Sequence, residues 1–414
     1  MTSFEDLVDL KSEWLALEAS VRAELPFQTW EWAVAWWQHL REDSRGVRDQ
    51  LRICVVRDGT NTVVAIAPLI LTERPSVGPV RLRYVQFIGA DPNITEIRGM
   101  LCRRELANEC CRLLRAHFAA HADEWDWISW DSLCPSLSEA TDHPTLIAGE
   151  DRSTFVLPLA SDWQAMKGRL GRNIKESLRK CYNSLRRDGL SYSLETLRDP
   201  RAIEVAMGEF FRLHSERASQ KNTAPHSDVF ASMEARRFLT AVCRMLAERG
   251  IARLFRLRVD GRVVASRVAF QMGSQLYLYY SGWDSAYARY SVMTTLLAEI
   301  IKDAIVRGST AVNLSTGNDV SKTRWRPREV VYRSGIEVAP RFSARANYLG
   351  FRAARSVGTG KLARELLPSF LVRRSEPRGA WRSRPHPAAV ATRSCRRVAG
   401  PPVVVAIEAL DHQV

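Results

Sequence analysis

The sequence lacks the features that mark membrane-spanning and secreted proteins. Its longest apolar run, Val63–Leu71, has the length of a strand and is far shorter than the about 20 residues of a membrane helix. The first residues, Met1–Asp6, are acidic and do not resemble a secretory signal. None of the eight cysteines belongs to a C-x-x-C pair, and no Cys/His spacing fits zinc. We therefore expect a cytoplasmic protein with reduced thiols and no metal.

Several familiar catalytic motifs are also missing. The sequence has no G-x-x-x-x-G-K-[ST] pattern, which argues against P-loop nucleotide hydrolysis. It also lacks the H-E-x-x-H pattern of zinc metalloproteases and the G-x-S-x-G pattern of α/β-hydrolases. Lysine is scarce: only eight of the 60 basic residues are Lys, and the other 52 are Arg. The net charge of +14 suits an anionic partner. Because the arginines are scattered and no nucleic-acid-binding module is present, nucleic acid is not expected as the partner.

The periodic segments that are present occur twice in the same order. The first set is a helical segment at residues 4–40, a strand hairpin closed by Asp58-Gly59, a third strand, a helix and a strand. The second set is three helices, a strand hairpin closed by Asp260-Gly261, a third strand, a helix and a strand. The predicted elements are Leu51–Arg57, Thr62–Leu71, Arg83–Ile88, Glu105–Ala120 and Trp125–Leu133, then Asp162–Arg187, Asp199–Gln220, Val229–Arg249, Ala252–Val259, Arg262–Met272, Gln275–Gly282, Ser291–Arg307 and Ala311–Leu314.

This repeated order predicts a layered α/β fold with two tandem halves, each a mixed, mostly antiparallel sheet flanked by helices. We place the first half at residues 1–150 and the second at residues 151–345. Residues 346–372 predict a basic amphipathic helical extension, which packs on the domain or contacts a membrane surface or partner. Residues 373–414 are rich in Arg and Pro and are predicted to be disordered. The oligomeric state is not predicted.

One junction in the second half favours an anionic ligand. The strand Gln275–Gly282 leads through the polar loop Trp283–Tyr290 into a helix that begins near Ser291. The first amides of a helix have no intrahelical acceptor, and the helix dipole adds positive charge there. Ser291 is a natural N-cap, and Arg289 can pair with a diphosphate.

A set of motifs around this junction occurs in a known order. It comprises Asp260–Ala265, Leu278–Asp284, Arg289–Ser291, Asn313–Gly317 and Lys322–Trp325, with Phe27, Gln28, Trp30, Arg172–Lys175, Phe210–His214 and Arg217 upstream. In this order the motifs resemble the CelD-type branch of the GNAT acyltransferases, which is related to the Fem-like transferases and associated with polysaccharide biosynthesis. The resemblance covers roughly residues 20–335. It implies two GNAT-like halves, with the catalytic site in the second.

The resemblance further implies acetyl-CoA or another acyl-CoA as co-substrate and an amine on a small molecule, sugar or polysaccharide precursor as acceptor. The expected cofactor-binding residues are Arg289, Tyr290, Ser291, Val292, Met293, Asn313 and Lys322. Val292 and Met293 stand where the family has Pro-Gly, and a Met293 side chain is expected to crowd the approach of a phosphate.

The mechanism implied is attack of the amine on a thioester whose carbonyl is polarised by a backbone N–H. Asp284 is the first candidate to accept the amine proton and His214 the second, while Tyr280 can protonate the leaving thiolate. Structural alternatives stay open, with Asp284 as a turn cap and His214 as a packed helix residue. Two other functions also remain: Fem-like transfer from charged tRNA, favoured by the basic segment 167–187, and a catalytically inactive GNAT-like binding protein, favoured by Met293.

Overall fold

The computed structural model describes residues 1–75, 81–91, 93–132, 146–220 and 227–358. The predicted disordered tail at residues 373–414 and the end of the predicted helical extension lie outside the described residues. Within the described ranges the chain forms two mixed sheets with helices packed on them. This arrangement confirms the predicted fold class.

The first sheet is built mainly from the first part of the chain and has the order β1-β2-β3-β5-β14-β6, with β4 on β2. Only β3 and β5 run parallel in the described part of this sheet. Its elements are α1 (Phe4–Asp9), α2 (Lys11–Val21), α3 (Trp30–Leu40), β1 (Arg48–Arg57), β2 (Val63–Arg74), β3 (Leu82–Phe87), β4 (Leu101–Cys102), α4 (Ala107–Ala120), β5 (Trp127–Trp130) and β6 (Leu146–Ala148).

The second sheet has the order β13-β7-β12-β11-β10-β9-β8. Its elements are β7 (Arg152–Pro158), α5 (Trp163–Arg169), α6 (Arg172–Arg187), β8 (Tyr192–Leu197), α7 (Pro200–Ala218), α8 (Met233–Glu248), β9 (Ala252–Val259), β10 (Arg262–Met272), β11 (Gln275–Trp283), α9 (Val292–Val306), β12 (Ala311–Thr316), α10 (Val320–Thr323) and β13 (Arg328–Tyr332). The described chain then ends with β14 (Gly335–Val338) and α11 (Phe342–Gly358).

The two sheets share one topological feature. Each has a single parallel pair among its described strands, and a helix connects the members of that pair. In the first sheet α4 lies between β3 and β5 along the chain, and in the second α9 lies between β11 and β12. A parallel pair requires such a crossover, so the two repeated sequence patterns correspond to two repeated topologies.

A common hydrophobic core joins the two sheets. The tryptophans of α3 are central to it: Trp32 and Trp36 are at most 1% exposed. Trp32 packs edge-on against Phe238 of α8 and Tyr279 of β11, with ring centroids 5.1 and 5.8 Å apart. Because large aromatic contacts of this kind stabilise a packed interface, the first half is held in a fixed position against the second sheet.

The chain differs from the sequence prediction in one helix and in several short strands. The single helix predicted over Asp162–Arg187 is wrong: Leu170 takes an extended conformation (φ −70°, ψ 142°) and separates α5 from α6. Its side chain is 4% exposed, so burial of this leucine outweighs helix continuity. The short strands β4, β6, β8, β13 and β14 were not predicted, since they lack the long buried apolar runs of the central strands. The division at residue 150 stays a prediction, and β14 returns to the first sheet from the range assigned to the second half.

The predicted extension begins as the helix α11. Its Ala344 and Tyr348 are buried, and Tyr348 packs on Trp127 with ring centroids 5.7 Å apart. Phe342 and Leu349 are 88% and 61% exposed. Contact with a membrane surface stays a prediction; within the described ranges no helix combines the length and hydropathy needed to cross a bilayer.

Candidate active site

The two central strands of the second sheet separate part-way along their length. β11 and β12 pair only over Gln275–Tyr277 and Ala311–Asn313. Beyond this point β11 continues on β10, and β12 continues on β7. The separation leaves a gap flanked by Leu278–Trp283 and Leu314–Thr316, which we call the wedge.

A β-bulge begins on each strand where the wedge opens. On β11, Tyr279 and Tyr280 together face the single residue Val268, and both tyrosines lie in the core shared with the first half. On β12, two residues also face one, and Ser315 has a left-handed backbone (φ 69°). Bulges leave backbone groups unpaired and redirect side chains, so they supply the irregular polar surface that a sheet otherwise lacks.

The wedge receives an acidic side chain from the first half of the chain. Glu96, in the loop after β3, accepts hydrogen bonds from the hydroxyls of Tyr277 and Ser315, each at 2.6 Å. Glu96 is only 3% exposed, and this burial raises the pKa of its carboxyl group. Sequence reasoning missed this residue, because its only local signal is an acid between two isoleucines, Ile94 and Ile97, in a turn-rich loop.

The loop that carries Glu96 is held by its own hydrogen bonds. The Asp91 carboxylate accepts the backbone N–H groups of Ile94 and Thr95 at 2.6 and 2.9 Å, and the Trp36 indole N–H at 3.0 Å. Gly89 has φ +98°, and a Cβ atom there would lie 2.5 Å from the Thr95 side chain. Glycine is therefore required at this turn, and the loop is fixed to α3.

Cationic side chains surround the wide end of the wedge. Lys322 donates a hydrogen bond to the carbonyl of Thr316 and lies 3.8 Å from the carboxylate of Asp319. Burial lowers the pKa of Lys322, while the nearby charges of Asp319 and Glu96 act in the opposite direction. Arg217 of α7 and Arg267 of β10 both donate to the hydroxyl of Ser281, at 2.8 and 3.1 Å.

The three predicted catalytic residues do not converge on one point. Asp284 uses both carboxylate oxygens locally: one accepts the N–H of Ala286 at 3.0 Å and the other an N–H of Arg262 at 2.8 Å. It therefore caps the turn that follows β11. Tyr280 lies in the wedge, where its hydroxyl donates to the carbonyl of Asn93 at 2.7 Å. Burial raises the pKa of Tyr280 well above its usual value.

The third, His214, lies in the core beneath the wedge. Its ring is fully buried, with Nδ1 3.2 Å from the carbonyl of Ser281 and Nε2 3.7 Å from Asp228. Burial lowers the pKa of His214 to about 4, so the ring is neutral at pH 7. The ring packs edge-on against Tyr280, with centroids 5.5 Å apart.

The predicted cofactor-binding residues mostly gather where α9 begins. Ser291 occupies the N-cap position, but its backbone is left-handed (φ 52°) and its side chain makes no capping hydrogen bond. Arg289 is 71% exposed and lies 3.2 Å from Asp188, whose carboxylate also accepts the Tyr290 hydroxyl at 2.9 Å. Val292 and Met293 pack against the core of the second sheet, Val292 completely and Met293 in part.

Two predicted cofactor-binding residues lie in β12 and after it. Asn313 accepts the N–H of Ser315 at 2.9 Å, which stabilises the bulge, and its amide nitrogen lies 3.4 Å from the Thr154 hydroxyl. Lys322 lies beyond the end of β12, as described above. The structure thus brings Tyr280, Asn313 and Lys322 to the wedge with Glu96, and keeps Asp284 with the residues that precede α9. Within the described ranges, no group of three or more His, Cys, Asp or Glu side chains is arranged to hold a metal ion.

This region is similar to known proteins. Residues 172–325 match the family model described as the acetyltransferase (GNAT) domain. No curated protein matches the chain. The crystal structure of FemX superposes with a TM-score of 0.55 at 12% identity, over 82% of this chain and 98% of that chain. The C-terminal domain (DUF2156) of a putative lysylphosphatidylglycerol synthetase from Agrobacterium fabrum superposes with a TM-score of 0.48 at 12% identity, over 86% and 97% of the two chains.

The FemX superposition shows a shared fold, since the sequence identity is low. The family match covers the wedge strands, the junction before α9 and Lys322. The match of residues 172–325 to the acetyltransferase (GNAT) domain gives the enzyme class as acyltransferase.

Proposed function

We propose that this protein transfers an acyl group from an acyl-CoA to an amine, and that the acceptor is a small molecule such as an amino sugar or another polysaccharide precursor. The observation that carries this proposal is the wedge between β11 and β12, which leads directly to the start of α9. A gap between parallel strands accepts an extended thioester arm, and the helix start favours the diphosphate that this donor carries.

The residues at the junction fit an anionic donor. α9 has 15 residues, so its first amides and its dipole form a substantial positive end. The exposed guanidinium of Arg289 stands beside it. The side chains of Val292 and Met293 pack against the core of the second sheet. This packing supports the proposal that a phosphate group can still reach the backbone N–H groups at the start of α9.

We propose Glu96 as the group that accepts the proton of the amine. The amine nitrogen forms a bond to the thioester carbonyl carbon, the C–S bond breaks, and the amine proton passes to the Glu96 carboxylate. A raised pKa suits this role because a general base works best when its pKa is near the working pH. The hydroxyls of Tyr277 and Ser315 orient the carboxylate and leave it further lone pairs.

Tyr280 is proposed to return a proton to the leaving thiolate, as its position in the wedge allows. Asp284 and His214 are weaker candidates for the base. The first uses both oxygens at its turn, and the second is fully buried in the core. Their contacts support roles in holding β11 and the loop after it.

The activity can be tested by following release of free CoA thiol from acetyl-CoA and longer acyl-CoAs in the presence of a panel of amines that includes amino sugars. We expect thiol release that requires both an acyl-CoA and one class of amine. Absence of thiol release with every donor across the panel would argue against acyl-CoA as the donor.

Fem-like transfer from charged tRNA is the second candidate. It is favoured by the fold shared with FemX and by the exposed basic side chains of α6, which include Arg172, Arg179 and Lys180. Incubation with aminoacylated tRNA and the same amine panel separates the two donors. Loss of the aminoacyl group only when an amine is present would favour the tRNA donor.

A further inference from the structure

The geometry of Arg217 and Arg267 is unusual for two half-buried cations. They come from different elements, α7 and β10, and their guanidinium groups meet at Ser281. Both donate to its hydroxyl, and Arg217 also donates to its backbone carbonyl at 3.3 Å. Ser281 lies directly opposite Arg267 in the β10–β11 pairing and is 1% exposed. Like charges held this close repel each other unless an anion lies between or beside them.

The described structure supplies no such anion in direct contact. Among the described residues, the hydrogen bonds of Arg217 and Arg267 go to Ser281 and neither forms an ion pair with a carboxylate, while the Nε of Arg267 is buried without a hydrogen-bond partner. Neighbouring arginines of the same sheet behave differently: Arg256 pairs with Glu195 at 2.8 Å, and Arg262 pairs with Asp284 at 2.8 Å. Arg253 of β9 also lacks a carboxylate partner within the described ranges, and its Nε is likewise buried without a hydrogen bond. The feature that distinguishes Arg217 and Arg267 is that the two guanidinium groups meet at one serine.

The pKa shifts of these cations also indicate a site with an excess of positive charge. Burial lowers the pKa of Arg267 to about 10, and the positive charge of Arg217 acts in the same direction. Burial likewise lowers the pKa of Arg217. Lys322 shares this environment, because the charges of both arginines lower its pKa. Among the described residues, the carboxylates that act on these cations are Asp319, whose side chain is 44% exposed, and Glu96, which accepts hydrogen bonds from Tyr277 and Ser315.

The two arginines can be placed relative to the two faces of the second sheet. Phe210 of α7 packs in the core on one side of the second sheet, together with Tyr279 and Tyr280. Val292 and Leu296 of α9 pack in the separate core on the other side. Arg217 extends from α7 on the first side, whereas Arg267 is paired across the strands with Phe255, which packs in the core on the α9 side. The two arginines therefore come from opposite faces of the sheet and meet at Ser281, beside the wedge.

We propose that Arg217 and Arg267, supported by Lys322, bind an anionic group of the acceptor, either a carboxylate or a phosphate, and so direct its amine into the wedge. Guanidinium groups are well suited to this because they bind both anions through paired N–H donors. The inference rests on the proposed function, since it names the acceptor class for the same wedge: an amine that also carries a negative charge.

The test uses the full-length chain in an Arg289→Ala background, which weakens anion binding at the start of α9 and leaves the contribution of its backbone amides the same in every variant. Inorganic phosphate and acetate are titrated separately at constant ionic strength, and affinity is measured by calorimetry and by the thermal unfolding midpoint. Arg217→Gln and Arg267→Gln are compared with Arg256→Gln, a matched control from the neighbouring strand β9. We expect at least about a tenfold loss of affinity for one of the anions in the first two variants and little change in the control.

Two outcomes would overturn the proposal: no binding of either anion to the parent protein, or equal binding in all three variants. The phosphate and acetate arms identify which anionic group the site prefers. Binding of acetyl-CoA to Arg267→Gln in a chain with native Arg289 is measured alongside. If acetyl-CoA fails to bind even the wild-type chain while the anion effect persists, the donor assignment is wrong and the anion site stands.

Discussion

The carboxylate of Glu96 lies 2.6 Å from the hydroxyl of Ser315, although 219 residues separate the two in the chain. The contact joins the loop after β3, in the first sheet, to the bulge of β12 in the second. The proposed site therefore requires both halves of the chain. It also places the proposed base at the point where the two central strands part.

Replacement of Glu96 by Gln is expected to lower kcat by about 10² to 10⁴-fold, because Gln keeps the size of the side chain but does not accept the amine proton. The measurement is steady-state thiol release, with Glu105→Gln on the exposed turn before α4 as the control. Affinity for acetyl-CoA is expected to stay the same in both variants. Full turnover by the Gln variant would move the base to another residue.

The same assignment predicts the pH dependence of turnover. Since burial raises the pKa of Glu96, a larger fraction of the carboxyl group is protonated and inactive at mildly acidic pH. The wild-type rate is expected to rise with pH through this raised pKa and then level off. The residual rate of the Gln variant is expected to lack this rise, which a profile of kcat against pH tests directly.

Asp284→Asn is expected to leave turnover within a few-fold of wild type. The side chain of Asp284 caps its own turn and pairs with Arg262, which is 62% exposed, and neither contact reaches the wedge. The amide retains an oxygen that can accept the N–H of Ala286. A loss of turnover as large as that in Glu96→Gln, in a variant that folds normally, would restore Asp284 as the base.

Gly282→Ala is expected to destabilise the protein by at least about 2 kcal/mol, because β11 and α7 touch through their backbones here. A Cβ atom at Gly282 would lie 2.2 Å from the backbone nitrogen of His214 and 2.3 Å from the carbonyl carbon of Leu213. Gly208→Ala in α7 is the matched control. A Cβ atom there meets nothing within 4 Å, and alanine favours a helix, so a gain of roughly 0.5 to 1 kcal/mol is expected. Urea unfolding of the two variants measures both effects.

The lowered pKa of His214 predicts that the stability of the fold also depends on pH. Its pKa is about 4 in the folded chain against an ordinary value of 6.5, so the unfolded chain binds more protons between these values. Stability is therefore lost as pH falls through this window, by roughly 2 to 3 kcal/mol between pH 7 and pH 4.5. Asp228, Arg217 and Arg236 are the charged groups that influence the ring.

The comparison with His214→Asn isolates this contribution, because buried acids also titrate in the same window. Burial raises the pKa values of Glu18, Asp91 and Glu96, and these groups act with the opposite sign. The difference in unfolding free energy between wild type and variant is expected to shrink as pH falls from 7 to 4.5. A difference that is independent of pH would contradict the depressed pKa of His214.

Local sequence signals predicted the strands and turns of the site but not the full set of side chains that meet there. The hairpin at Asp260-Gly261 is confirmed, since both residues take positive φ angles (45° and 79°), which Asp and Gly tolerate well. The loop before α9 was also found from its sequence. Glu96 was missed because its meaning depends on contacts with Tyr277 and Ser315, which no local pattern encodes. The extended Leu170 and the return of β14 to the first sheet were missed for the same reason.

The central claim, an acyl-CoA donor site at the start of α9, is tested most directly by calorimetric titration of acetyl-CoA and longer acyl-CoAs into the wild-type protein and the Arg289→Ala variant. The account predicts saturable binding to the wild type that weakens severalfold in the variant, because the exposed guanidinium of Arg289 stands beside the helix start. Absence of binding of every acyl-CoA to the wild-type protein would contradict it.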